Sequence, residues 1–163
     1  MKISFQVPGQ PIAKARARHN PLYQCPSCGR KTMRRECKCG KTDLKILAVI
    51  PMADKDTVRY ENLVKAAAWA AMRETFPAIE EGLMTGPIRL TAKFYFQIPP
   101  SRQRRLKEGD LHSQKPDLSN CVKAIEDGMN EVVYTDDSQV TQHVTGKFWS
   151  LTPRAEIEVE TLL

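Results

Sequence analysis

Residues 115–139 concentrate the side chains best suited to chemistry. Lys115-Pro116-Asp117-Leu118-Ser119-Asn120-Cys121-Val122-Lys123-Ala124-Ile125-Glu126-Asp127-Gly128-Met129-Asn130 is followed shortly by Asp136-Asp137-Ser138-Gln139. On a helix, Leu118, Val122, Ile125 and Met129 form one apolar stripe. Ser119, Lys123, Glu126, Asp127 and Asn130 fall within a separate arc of about 100°. Asp117 stands where such a helix begins. A hard cation such as Mg²⁺ takes oxygen ligands and needs only one or two carboxylates, leaving room for water and phosphate. A metal so held can activate water and neutralise a leaving oxygen in phosphodiester hydrolysis. A neighbouring lysine can stabilise charge on the transferring phosphate. The same face would also serve as an ordinary solvated surface with i,i+4 pairs such as Lys123–Asp127, and Asp136-Asp137 alone would serve as a turn.

A second constellation lies near the N-terminus. Cys25-Pro26-Ser27-Cys28-Gly29 has the spacing of a zinc knuckle, and Cys37-Lys38-Cys39-Gly40 supplies two more thiols with one residue between them. Four thiolates around Zn²⁺ carry a net charge of −2, which Arg30, Lys31, Arg34, Arg35, Lys38 and Lys41 can offset. Free thiols in a loop or a redox pair are the alternatives, with His19 a substitute ligand. Few apolar residues occur here, so metal is expected to order the stretch, which would contact either DNA or a second subunit. Cys121 reads as a small core residue.

The elements that position these groups follow from periodicity. Residues 2–7 alternate, with Ile3, Phe5 and Val7 on one face, and read as a half-buried strand. A helix is expected from Asp56 or Thr57, with apolar positions Tyr60, Leu63, Val64, Ala67, Ala71 and Met72 and a stop at Pro77. Residues 88–98 alternate over their whole length. A second helix is expected over 118–130, and further strands over 139–149 and 155–161. The stretch up to residue 55 lacks a sustained period and reads as loop with an insert at 20–50. The expected fold is α+β: a mainly antiparallel four-stranded sheet with two helices on one face, in a single domain spanning 1–163. Trp69, Trp149, Phe94 and Phe96 read as packing residues. His19, His112 and His143 read as surface or strand residues, with His112 a candidate phosphate contact.

Composition bounds the function. The 163 residues carry 25 Lys and Arg against 19 Asp and Glu, a net charge of +6 that favours a polyanionic partner. No apolar run reaches the roughly 18 residues of a membrane helix. Lys2-Ile3-Ser4-Phe5 leads straight into Pro8-Gly9 without a signal-peptide pattern, so a cytoplasmic protein without a membrane partner is expected.

Lys115-Pro116-Asp117-Leu118-Ser119-Asn120, Lys123, Glu126-Asp127, Asn130 and Tyr134-Thr135-Asp136-Asp137-Ser138-Gln139-Val140 together resemble the signature of the RusA family of Holliday junction resolvases. Pro11-Ile12-Ala13-Lys14-Ala15-Arg16-Ala17-Arg18 and Arg59-Tyr60-Glu61 are similar to phage-type members. The resemblance implies a homodimeric endonuclease of DNA recombination and repair that nicks four-way junctions in pairs with Mg²⁺ or Mn²⁺. It implies Asp117 and Asp137 as metal ligands, Asp136 and Ser119 as further positions at the cation, and Lys123 at the phosphate. Lys14, Arg16, Arg18 and Asn120 would contact DNA. Ser119 replaces an aspartate common in the family, and Glu126 or Asp127 is expected to supply the missing carboxylate. The alternative is a zinc-dependent protein that binds branched DNA with weak or no nuclease activity.

Overall fold

The computed structural model describes residues 1–77 and 82–162. The chain divides into two compact units, one comprising residues 1–14 and 56–163, the other residues 15–55.

The larger unit holds strands β1 (Lys2–Pro8), β5 (Ile88–Gln97), β6 (Val140–Ser150) and β7 (Arg154–Thr161), with helices α1 (Lys55–Thr75) and α2 (Leu118–Met129). The sheet order is β1-β7-β5-β6. β7 runs antiparallel to both β1 and β5, whereas β5 and β6 are parallel. The sheet is therefore mixed, which corrects the mainly antiparallel expectation. Alternation tells which face of a strand is buried but not which way its neighbour runs. A parallel pair needs a long crossover, and here that connection carries α2.

Alternation does set the burial. Ile88, Leu90, Ala92, Phe94 and Phe96 are buried on β5, and Ala155, Ile157 and Val159 on β7. They join Tyr60, Val64, Ala68 and Met72 of α1 and Cys121, Val122, Ile125 and Met129 of α2 in one core. Both helices thus cover the same face of the sheet. The opposite face is polar and laced by cross-strand ion pairs, Lys2–Glu158 at 2.9 Å and Arg89–Glu160 at 2.7 Å. The helices approach closely at Gly128, where a Cβ would lie 2.7 Å from Val64 Cβ and 2.9 Å from the Glu61 carbonyl oxygen.

Three side chains depart from expectation. The buried α1 row runs through Thr57, Tyr60, Val64, Ala68, Ala71 and Met72, which leaves Leu63 46% exposed. Trp69 lies off that row, is 54% exposed and packs under the Arg73 guanidinium at 4.7 Å rather than in the core. His112 is buried between Phe96 and Trp149, with ring centroids 4.3 and 4.1 Å away, and does not offer itself to a phosphate. Burial, with the Lys147 charge, lowers its pKa and favours neutral imidazole.

The smaller unit is a three-stranded antiparallel sheet in the order β3-β2-β4, formed by β2 (Arg18–Gln24), β3 (Lys31–Thr32) and β4 (Lys45–Met52). A loop is the expectation here. β2 hides its strand character behind Pro21 and irregular polarity, and β4, Lys-Ile-Leu-Ala-Val-Ile-Pro-Met, is apolar without alternation. Its Ile46, Leu47 and Val49 are all exposed.

Candidate functional site

The acidic helix is held at its start by backbone-directed contacts. Lys147 of β6 donates from Nζ to the carbonyl oxygens of Gln114 and Pro116, both at 2.6 Å, fixing the segment that delivers Asp117. The Lys14 amide donates to the Asn120 carbonyl at 2.8 Å, tying the N-terminal segment to the first turn. Asp117 is the N-cap residue, yet its carboxylate makes no capping hydrogen bond and the residue is exposed. That carboxylate is not spent on the helix.

One turn further on, Lys123 joins two elements. Its ammonium pairs with Asp127 at 3.3 Å and, in closer contact, with Asp137. The helix face and the acidic turn thus meet through a lysine. These carboxylates, Asp137 first, raise the Lys123 pKa and keep it charged. Lys14 does the same from the N-terminal segment, binding Glu61 of α1 at 2.8 Å and also Asp127. Burial works against the Lys14 charge, but the two carboxylates outweigh it and its pKa rises.

Asp136 and Asp137 have different tasks. The Asp136 carboxylate accepts from the Ser138 amide at 2.8 Å, while the Gln139 side chain accepts from the Asp136 and Thr135 amides. This capping box opens a short 3₁₀ turn at Asp137–Gln139. The same Gln139 donates to the Met84 carbonyl at 3.0 Å. Asp136, expected at the cation, thus builds the turn that presents Asp137.

A cleft of about 430 Å³ opens beside Lys123, lined by Leu118, Ser119, Val122, Lys123, Glu126, His143 and Thr145. Glu126 lies 3.4 Å from His143 Nε2 across it. Burial raises the Glu126 pKa, with His143 and Lys123 opposing that rise. His143 is, as expected, a surface and strand residue; its partner comes from a different element, so no local pattern announces the pair. Lys147 was missed for the same reason. Ser119, Lys123 and Glu126 therefore share one opening, with Asp137 held to it by Lys123. Arg16 and Arg18 are exposed and lie in the other unit, so the two units divide the expected DNA contacts.

All four cysteines of the expected zinc site converge. Cys25, Cys28, Cys37 and Cys39 bring their sulfurs within 4.8 Å of one another, the one convergence of three or more potential metal ligands among the described residues. Sγ–Sγ separations are 3.6 Å for Cys25–Cys39, 3.5 Å for Cys28–Cys37 and 3.6 Å for Cys28–Cys39. Tetrahedral ligation at ~2.3 Å would place thiolates about 3.8 Å apart, so the set fits Zn²⁺. The tight Cys37/Cys39 spacing is no obstacle, and the cluster is complete without His19. The knuckle turns close through Gly29 N–H to the Cys25 carbonyl and Gly40 N–H to the Cys37 carbonyl, with φ of 70° and 85° at the two glycines. Burial would raise the Cys25 pKa, but the Cys28 and Ser27 amides and the neighbouring thiols bring it down to about 7.

The sequence profile described as Endodeoxyribonuclease RusA matches residues 30–160. The chain belongs to the RusA endodeoxyribonuclease family. The match takes in α2, the 136–139 turn and the second cysteine pair; Lys14, Cys25 and Cys28 precede it. The chain is also similar to Uncharacterized protein YqaN of Bacillus subtilis (strain 168), 35% identical over 86 residues, which cover 48% of this chain and 61% of YqaN. The match thus spans about three-fifths of that relative. No helix among the described residues of this family member is long and apolar enough to cross a membrane.

Proposed function

We propose that this chain is a divalent-metal-dependent endodeoxyribonuclease that resolves four-way DNA junctions by paired nicks in recombination and repair. The observation that carries the reading is Lys123, held between Asp127 of α2 and Asp137 of the turn in a family whose members act on DNA. Asp117 and Asp137 offer hard oxygen donors, and Mg²⁺ or Mn²⁺ needs few of them. Asp117 and Asp137 would hold such a cation, which would supply positive charge to activate water and to neutralise a leaving oxygen. Lys123 exchanges a carboxylate for the scissile phosphate and stabilises its charge. Glu126 supplies the carboxylate that Ser119 lacks, because it lines the same cleft, whereas Asp127 already neutralises Lys14 and Lys123. Asp136 serves the turn. Lys14 orients Asp127, leaving Asn120, Arg16 and Arg18 to contact DNA. Zn²⁺ fills the four-cysteine site as a structural ion. Two nicks across a junction require two such sites related by a two-fold axis, hence a homodimer.

The test is cleavage of a labelled synthetic four-way junction in Mg²⁺ and in Mn²⁺, with linear duplex and Asp117→Asn protein as controls. Paired nicks confined to the junction and reduced at least ~10²-fold in the variant are expected, beyond the 10–100-fold usual for an outer-shell partner. Ser119 favours a second reading, a branched-DNA-binding protein with weak or no cutting. Tight junction binding without nicks in either metal would select it.

A further inference from the structure

The positive charge of this protein is not spread evenly. Residues 15–55 hold ten Lys and Arg against three Asp and Glu, leaving fifteen against sixteen elsewhere. Six of the ten, Arg30, Lys31, Arg34, Arg35, Lys38 and Lys41, surround the cysteine cluster and are exposed. A zinc tetrathiolate carries −2, and Glu36 adds one more negative charge, so the cations exceed what local neutrality needs. None of the six forms an ion pair among the described residues, in contrast to Lys14, Lys123 and Arg89 of the larger unit.

They also line shaped surface. One cleft of about 710 Å³ is lined by Thr32, Arg34, Glu36, Cys37, Lys38 and Gly40. An adjoining one of about 460 Å³ shares Thr32, Cys37 and Lys38 and adds Arg30 and Lys31. The backbone beneath is fixed by the knuckle hydrogen bonds, Cys25 N–H to the Arg30 carbonyl at 2.9 Å and Cys37 N–H to the Lys41 carbonyl at 2.8 Å. The thiol cluster therefore presets where these cations stand.

We infer that the zinc-bearing unit is a second DNA contact, a cationic cleft that grips backbone phosphates through Arg30, Lys31, Arg34 and Lys38. The inference rests on DNA being the substrate, but it does not require that the DNA be cut. Unpaired cations on a rigid turn meet phosphates without first breaking internal ion pairs, and their contribution is independent of base sequence.

Binding to a fluorescent four-way junction and to linear duplex tests this with the full-length protein, without added Mg²⁺ or Mn²⁺, across 50–200 mM NaCl. Removing four phosphate contacts by Arg30→Gln, Lys31→Gln, Arg34→Gln and Lys38→Gln together should flatten the slope of log K against log salt by about 3.6. Affinity for both DNAs should fall at least tenfold at the lower salt. Unchanged slope and affinity in a variant that still holds one zinc per chain overturns the proposal. If the quadruple variant loses zinc, Glu36→Lys decides: tighter, more salt-sensitive binding supports the cleft, and no change overturns it. Wild-type protein that binds but never nicks leaves this inference standing while the nuclease reading falls. No binding to either DNA at 50 mM NaCl removes both.

Discussion

The two units of this molecule are ordered by different means. In residues 1–14 and 56–163, four strands and two helices bury a continuous apolar core from Ile3 to Val159. In residues 15–55 the buried hydrophobic positions among the described residues are Cys25 and Cys37, while Ile46, Leu47 and Val49 stay exposed. The first unit is held by area removed from water, the second by four thiols gathered at a point. The lesson is that a short segment with almost no buried apolar side chains can still present a defined basic surface around four convergent thiols.

Chelation should break this comparison most visibly. Stripping zinc with a thiol-competing chelator is expected to leave residues 15–55 open to proteases and rapid amide exchange, while 88–97 and 154–161 stay protected; equal loss of protection in both units would refute separate ordering. Phe94→Ala is the converse. It should destabilise the larger unit by about 3–5 kcal/mol, as for a fully buried aromatic, with zinc stoichiometry unchanged in the folded fraction. Denaturant unfolding and metal analysis together read that outcome. Glu126→Gln sharpens the site within the larger unit. Junction cleavage should fall about tenfold, on the scale of lost cation support, with thermal stability nearly unaltered. If Glu126→Gln and Asp127→Asn both cut like wild type and keep metal affinity, the replacement for Ser119 lies elsewhere. The smallest effect belongs to Asp136→Ala, which removes the cap of the 137–139 turn and should lower the thermal midpoint only slightly while leaving cation binding intact. A loss of cleavage as large as that of Asp117→Asn would put Asp136 back at the metal.

Much of the larger unit was legible because it obeys simple periods. The alternation over 88–98 and the stripe Leu118, Val122, Ile125, Met129 each name their buried face before any neighbour is known. Direction was not legible: nothing in Val140–Ser150 says that its partner runs parallel. Nor was β4, since a continuous apolar strand in a unit with so small an interior defies the rule that apolar residues mark a core. At the site, Asp117, Lys123 and Asp137 could be proposed because their types and spacing suit phosphate chemistry. Glu61, His143 and Lys147 could not. Each acts through a residue distant in the chain, Glu61 on Lys14, His143 on Glu126, Lys147 on the carbonyls before Asp117.

The parallel pairing of β5 with β6 bears on when the site comes into being during folding. Leu90 aligns with His143 and Phe94 with Lys147, so α2 and the 136–139 turn belong to the loop that must close before these partners meet. Contacts so far apart along the chain cost loop entropy first and reward it late. A chain with β5 and α2 formed but β6 undocked would have neither the Lys147 brace on the segment before Asp117 nor His143 beside Glu126. In the topology of this protein, the arrangement around Asp117 and Glu126 therefore waits on the docking of β6, and a copy in which β6 is undocked lacks it.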